Sequence, residues 1–313
     1  IMAEKQQSLR SWKAQTAGDK VFDIINHILM GIIALITAYP LYYVIIMSFS
    51  KKTVGTYFWP NGFTLNGYKE IFRYGEFWSG YANTILYTVC GTIVSLAVTL
   101  TFAYAISRKY FVGRRWFLLM VMIPMFISGG MIPGYLTVSQ LGLVDTRFYI
   151  IISAAASTYN IIVARTFFRS TIPDELYEAS MLDGCGDGRF FTQIVLPLSK
   201  PIIAVEALYY GVGRWNSFMT EMIYLRTQSK YPLALVLRQL LWSVETIKSM
   251  LNSTGNFTTN LTEEARKALQ ERADIAGVMQ FCIMIVSCIP MMIVYPYLQK
   301  YFAKGVMIGA VKG

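Results

Sequence analysis

The sequence predicts an all-α membrane protein with six transmembrane helices. Three observations carry this. Hydrophobic residues make up 55% of the 313 residues and charged residues only 15%, against about 25% charged in a typical soluble domain. Six apolar runs are each long enough to cross a bilayer, which takes about 20 apolar residues as a helix. The basic residues, which give a net charge of +10, collect at the ends of those runs, as expected where positive loops stay in the cytoplasm.

Residues 1–23 read as a cytoplasmic arm, with Lys5, Arg10, Lys13 and Lys20. Leu9 and Trp12 give this arm apolar side chains to lay on the membrane surface. Met2 reads as the natural start. No cleavage site follows, so no removable signal peptide is expected. The transmembrane domain, residues 24–302, begins with a span at 24–49. Pro40 lies inside it as a kink candidate. Tyr39, Tyr42 and Tyr43 are belt aromatics or lipid-facing filler. His27, the one histidine, sits at the run's edge as an interfacial or packed side chain. Residues 50–80 are polar and aromatic, with a turn at 59–62, and are expected outside. The second span, 81–106, is rich in Thr, Ser, Ala and Gly, which let helices approach closely. It is expected inside the bundle. Residues 107–115 carry Arg108, Lys109, Arg114 and Arg115 and mark the cytoplasmic side.

The third span, 116–136, is interrupted by Pro124, Gly129, Gly130, Pro133 and Gly134. Such a break faces protein or a watery path, or it is a helix end followed by a re-entrant external loop. Both readings stand. The fourth span, 148–168, has small residues at 153–157, and Arg165 and Arg169 place its end in the cytoplasm. A cytoplasmic hairpin at 170–197 follows. The fifth span, 198–225, holds Glu206, Arg214, Asn216 and Glu221, all expensive in hydrocarbon. Glu206, Gly211, Arg214, Trp215 and Asn216 are therefore the candidates for a hydrated substrate path. The other reading is internal charge pairing, such as Glu206 with an arginine.

Residues 226–274 are the longest polar segment and are expected outside. Sequons at Asn252, Asn256 and Asn260 mark a polar loop. Residues 261–272 read as a short surface helix of strong helix formers with opposite charges at helical spacing. The sixth span, 275–302, contains Pro290 and Pro296, and 303–313 is a tail. An even number of spans puts both termini in the cytoplasm, on the side of the basic loop and the hairpin.

Residues 178–197 organise this layout. Pro173, Asp174 and Glu175 make a good helix start, with acids at the positive end of the dipole. Gly184 stops that helix, and Gly186 and Gly188 permit a reversal. A second short helix follows from Arg189, to be broken by Pro197 and Pro201. The run reads E-A-S, three residues, G, nine residues, I-V-L-P. In this it resembles the coupling loop of bacterial ABC importer permeases, whose pattern is E-A-A, three residues, G, nine residues, I-x-L-P. Glu178, Ala179, Gly184, Ile194, Leu196 and Pro197 fall in register, and Ser180 replaces the second alanine. The tail K-G-V-M-I-G-A-V-K-G is similar to that of maltose-type sugar permeases, specifically the second of their two permease subunits. The stretches at 124–135, 141–146 and 290–302 resemble the oligosaccharide-uptake branch, and within it the second permease of alginate importers.

The resemblance implies a type I ABC importer permease fold in a bacterial cytoplasmic (inner) membrane. It implies a heterodimer with a second homologous permease, two ATPase subunits and a periplasmic or surface sugar-binding protein. ATP and Mg would be held by the ATPase, with no cofactor in this chain. Glu178 would enter a groove of the ATPase, and Ala179, Ser180, Asp183, Gly184, Ile194, Leu196 and Pro197 would complete the coupling element. The tail residues Lys312 and Gly313 would also contact the ATPase. An acidic sugar would suit Arg214.

Several classes are excluded by what the sequence lacks. There is no G-x-x-x-x-G-K-S/T loop, no HExxH and no nucleophile elbow, so no enzyme is expected. The four cysteines have no metal-ligand spacing, and no metal site is expected. The hairpin's G-x-G-x-G follows no apolar strand and precedes no lysine. Its second helix lacks the basic and amide side chains of a DNA reader, so nucleic acid is not a partner. A secondary transporter would show a repeated topology, and none is visible. An ABC permease for amino acids or peptides is the nearer alternative, against which the maltose-type tail argues.

Overall fold

The structure is a computed structural model that describes residues 16–51, 58–252 and 263–310. The arm residues Lys5, Leu9, Arg10, Trp12 and Lys13, the sequons at Asn256 and Asn260, and the tail residues Lys312 and Gly313 lie outside the described residues. Among the described residues every extended element is helical, with a single isolated bridge between Ser50 and Phe63. In order these are α1 (Ala17–Ser48), α2 (Asn66–Arg73), α3 (Gly75–Ser107), α4 (Arg114–Phe126), α5 (Met131–Gln140), α6 (Arg147–Ile152) and α7 (Thr158–Thr171). They continue with α8 (Asp174–Leu182), α9 (Asp187–Phe190), a π turn (Phe191–Val195), α10 (Leu196–Leu198), α11 (Lys200–Trp215), α12 (Met219–Tyr224), α13 (Leu233–Asn252) and α14 (Glu263–Ala310).

The chain forms two compact units. One comprises residues 1–69 and 247–285, the other 70–246 and 286–313. In the first, α1 starts at Ala17, ahead of the expected 24, because Thr16 and Asp19 make a reciprocal capping box. Pro40 lies inside this continuous helix. Apolar side chains are exposed along most of α1, as on a helix whose neighbours are lipid or another chain. Its end is fixed by Ser48, whose hydroxyl accepts from Tyr68 at 2.9 Å and whose carbonyl accepts from the Cys282 thiol at 3.3 Å. Gly67 allows that approach, since a Cβ there would stand 2.8 Å from Cys282 Sγ.

The second unit is built around α3, which packs on α6, α7 and α11. Its small and hydroxyl residues Gly80, Ser95, Thr99 and Ala103 are buried, so backbones come close where side chains are short. One apolar cluster gathers Leu100, Ala103, Ile106, Phe168, Phe190 and Val195 near the 174–198 hairpin. Another gathers Tyr87, Val138, Ile150, Tyr224 and Leu225.

Several elements differ from the sequence expectation. The second helix begins at Gly75, not at 81. The third expected span is two helices, α4 and α5, meeting at 120°. Gly130 at their junction has φ +82, a conformation open to glycine and closed to most other residues. The fourth expected span is α6 and α7, parted at 153–157. There the freed backbone groups find side chains: Ser95 donates to the Ala154 carbonyl at 2.9 Å, and the Ser157 N–H donates to Tyr210 Oη at 3.2 Å. The fifth expected span, 198–225, is α11 and α12, parted at 216–218, and α11 is bent by 81° from the hairpin residues 187–198. The bend falls at Ser199, between Pro197 and Pro201. Pro201 sits in the first turn of α11, where its missing N–H costs nothing, whereas Pro197 follows the π turn inside the continuous helical stretch 187–198. Of the short surface helix expected at 261–272, residues 263–272 are the beginning of α14, continuous with the sixth run, and 261–262 lie outside the described residues. Among the described residues, three helical stretches are long and apolar enough to cross a membrane alone: α1, α3 and residues 274–296. Counting each bent pair as one span raises the number to five.

Candidate functional site

The 174–198 hairpin is built by two helix ends. Pro173 precedes α8 in extended conformation, and Asp174 and Glu175 occupy its first turn. At the other end Gly184 has φ +74. Its N–H donates to the Met181 carbonyl at 3.0 Å, and the Cys185 N–H reaches back to the Ser180 carbonyl at 2.9 Å. This pair of bonds is the Schellman closure. It satisfies two end carbonyls and turns the chain toward α9.

The hairpin has two faces. Ser180, Phe190 and Val195 are buried, and Ile194 and Leu196 are half-buried against the same apolar cluster. The Ser180 hydroxyl donates to the Tyr177 carbonyl at 2.7 Å, so the serine that stands where the pattern has alanine remains within its own helix. Tyr177 donates to Asp187 Oδ1 at 2.8 Å and meets the Phe190 ring edge-on at 5.3 Å, which joins the two arms. On the other face Glu178, Ala179, Met181, Leu182, Asp183 and Gly184 are exposed, as is Pro197. Leu182 is 90% exposed. Glu178 accepts a long hydrogen bond from Tyr110 Oη at 3.5 Å.

The basic loop lies against this hairpin. Lys109 Nζ stands 2.7 Å from Asp174 and Arg108 Nη1 3.8 Å from it. The hydrogen bond from Lys109 holds the Asp174 carboxyl below the usual carboxylate value. A cavity of about 540 Å³ is lined by Tyr104, Arg108, Tyr110, Tyr177 and Asp187.

The polar residues of α11 separate into two sets. Gly211 and Trp215 line a cavity of about 530 Å³ with Thr88, Thr92 and Pro290. Trp215 and Asn216 line another of about 940 Å³ with Tyr295. Trp215 is held by a bond from Nε1 to the Ser287 carbonyl at 3.1 Å. Glu206 and Arg214 line neither cavity. Glu206 is 0% exposed, and among the described residues neither carboxyl oxygen has a hydrogen-bond partner. Arg214 donates from Nη1 to the Ile150 carbonyl and from Nη2 to Ser95 Oγ, both at 3.1 Å. The pairing of Glu206 with an arginine does not form. Arg214 instead joins α11 to α6 and α3 through neutral acceptors.

Sequence reasoning missed a second polar junction, at the opposite end of α3 from the hairpin. Asp145, a non-glycine at φ +58, accepts from the Arg226 and Thr227 N–H groups, the Thr227 hydroxyl and Lys230 Nζ. The Thr227 hydroxyl bond and the Arg226 N–H bond hold its carboxyl well below the usual carboxylate range. The signal available was an aspartate behind a glycine-containing turn at 141–146, a residue type that tolerates the left-handed region.

The family described as binding-protein-dependent transport system inner membrane component matches residues 93–227, which include α7, the hairpin and α11. The chain is 37% identical to Protein LplC of Bacillus subtilis (strain 168) over 302 residues, 95% of this chain and 97% of that protein. It is 33% identical to the polygalacturonan/rhamnogalacturonan transport system permease protein YtcP of the same organism, over 94% of this chain and 99% of that one. Among solved structures it is similar to a chain of a bacterial ABC transporter involved in the import of the acidic polysaccharide alginate. That likeness has a TM-score of 0.79 and 34% identity, covering 92% of this chain and 99% of the other.

Proposed function

The chain belongs to the family of binding-protein-dependent transport system inner membrane components, and from that membership we propose how it takes part in ATP-driven import of oligosaccharides. It is a permease of the ABC importer type. The observation that carries the proposal is the exposed face of the 174–198 hairpin. A glutamate, a bare leucine and a left-handed glycine project there from a helix anchored on its other face.

In this reading the hairpin and both termini face the cytoplasm. Glu178, Ala179, Met181, Leu182 and Asp183 enter a groove of one of two ATPase subunits, and the tail with Lys312 and Gly313 touches the ATPase pair. A second, homologous permease completes the membrane part, and an external binding protein delivers the sugar. Nucleotide closes the ATPases and displaces the hairpin. The helices attached to it then pass between inward-open and outward-open arrangements, a two-state element biased by nucleotide. This chain's own residues bind no nucleotide and do no bond chemistry. They transmit displacement and line the route.

An acidic oligosaccharide is the proposed cargo, supported by the likeness to the alginate importer chain. Gly211, Trp215 and Asn216, which line the two cavities on α11, are the proposed route residues.

The test is purification of the chain from its native membrane in mild detergent, with identification of what accompanies it. Recovery of an ATPase and a second permease supports the reading, and the accompanying binding protein is then titrated with alginate oligosaccharides and neutral maltodextrins. A chain recovered alone that carries solute in vesicles without ATP overturns it.

A further inference from the structure

Helix α3 is fastened at both ends, and at the hairpin end Arg108 adds to the apolar packing a contact that spans both arms. Arg108 caps α3. Its guanidinium carbon lies 4.8 Å from the Tyr104 ring centre, 6.0 Å from that of Tyr177 and 5.7 Å from that of Phe190. Tyr104 belongs to α3, Tyr177 to the first arm of the hairpin and Phe190 to the second. The same guanidinium faces Asp174 at 3.8 Å, and its side chain is only 12% exposed. Nε and Nη2 are buried without a hydrogen-bond acceptor. Ring faces and one ion pair therefore hold this cation, and a flat guanidinium, which stacks on several rings at once, suits them better than a compact, strongly hydrated lysine ammonium. Tyr104 adds ring contacts to Phe191 at 4.8 Å and Phe168 at 6.0 Å.

At the other end, four α3 side chains grip the segment that follows α12. Ser79 and Asn83 donate to the Ser229 carbonyl at 3.2 and 2.8 Å. Tyr87 donates to the Lys230 carbonyl at 2.8 Å, and Thr84 Oγ1 accepts from the Leu233 N–H at 2.8 Å. Gly80 lets the segment pass, since a Cβ there would lie 3.3 Å from Leu233 Cα. Between these ends α3 is one unbroken helix of 33 residues, about 50 Å long at 1.5 Å per residue. Its neighbours α4–α5, α6–α7 and α9–α11 are all broken. A helix without a break moves as a unit, whereas a broken one absorbs displacement at its hinge.

We propose that Arg108 is a positioning residue for energy coupling. It locks α3 to both arms of the hairpin, so that hairpin displacement drives α3 as a rod and reaches residues 229–233 at its far end. The inference rests on the docking of the ATPase at the hairpin proposed above.

The test uses the assembled importer in lipid nanodiscs, with Cys90, Cys185, Cys282 and Cys288 replaced by serine. An environment-sensitive fluorophore is placed at the exposed Ala82 through Ala82→Cys, and its response to ATP with vanadate is read beside ATPase recovery. With Arg108 in place the label responds. With Arg108→Ala the ATPase stays bound, and the response falls about fivefold or more. Arg108→Lys, which keeps the charge without the flat face, falls between. A response unchanged in Arg108→Ala, or absent with Arg108 in place while the ATPase is bound, overturns the rod. Should Arg108→Ala fail to assemble, Arg108→Lys decides: an intact complex with an undiminished response overturns the proposal, and a diminished one supports it. Loss of the ATPase from the complex that retains Arg108 instead fails the docking reading itself.

Discussion

The Arg214 guanidinium lies against the backbone of Gly91. A methyl on Gly91 would stand 2.4 Å from its central carbon, inside any real contact distance. The glycine on α3 is thus the space that lets an arginine of α11 reach Ser95 and the Ile150 carbonyl. Gly91→Ala should push the guanidinium off both acceptors and cost about 1–3 kcal/mol as overpacking. Arg214→Ala should remove the clash. The double variant should then be less destabilised than the two single effects summed. Thermal unfolding of the detergent-solubilised chain checks this, and simple additivity would show that the two residues do not share the space.

Arg214 points into the bundle, so its removal should weaken uptake of acidic and neutral sugars to the same extent, in proportion to lost protein. Parallel transport assays with alginate oligosaccharide and maltodextrin read the ratio. A selective loss of the acidic cargo would return Arg214 to the route.

Glu178 and Leu182 are exposed on a hairpin whose other face is anchored. Glu178→Lys and Leu182→Asp should therefore leave folding and membrane insertion unchanged within about 0.5 kcal/mol, as surface substitutions do. Both should abolish cargo-stimulated ATP hydrolysis by the complex. Stimulation that survives both changes would remove the hairpin from the docking interface.

Gly184 meets nothing within 4 Å where a side chain would go. Its requirement is conformational, at φ +74. Gly184→Val should cost more than Gly184→Ala, and Gly184→Ala about 1–2 kcal/mol from the left-handed backbone alone. Gly184→Asn should recover most of it. A comparison of thermal midpoints across the three variants reads this order.

Asp145 should make one part of the stability acid-sensitive. Its folded-state proton affinity is depressed by the Thr227 hydroxyl and the Arg226 N–H. Its contribution is therefore fully present above the ordinary carboxylate value, about 3.9, and is lost as pH falls below that toward the folded-state value. Asp145→Asn should remove that acid-side slope while tolerating the left-handed backbone. Asp145→Val should add backbone strain on top. Thermal midpoints measured between pH 7 and pH 3 separate the two, and an unchanged slope in Asp145→Asn would assign the acid sensitivity elsewhere.

The sequence alone determined the helical class, because apolar runs of bilayer length leave the backbone only its own carbonyls to bond. It determined the hairpin as well, since helix caps are local: Pro173, Asp174 and Gly184 act on neighbours within one turn. It determined only some of the helix breaks. Prolines at 197 and 201 mark one of them, which falls between the two at Ser199, but no proline marks the breaks at 153–157 and 216–218. Nor could it decide what the buried charges face. The sequence leaves the arginine partner of Glu206 unspecified, and Arg214 on the same helix is eight residues away, beyond the reach of neighbours at i+3 or i+4. Only the packing of α3 and α6 against α11 supplied Arg214 with Ser95 and the Ile150 carbonyl and left Glu206 without a partner. The same holds for Arg108, a loop cation by sequence, which gains its three rings only when residues 104, 177 and 190 are brought together. Local geometry is written in adjacent residues, whereas the partner of a buried charge is set by which helices meet.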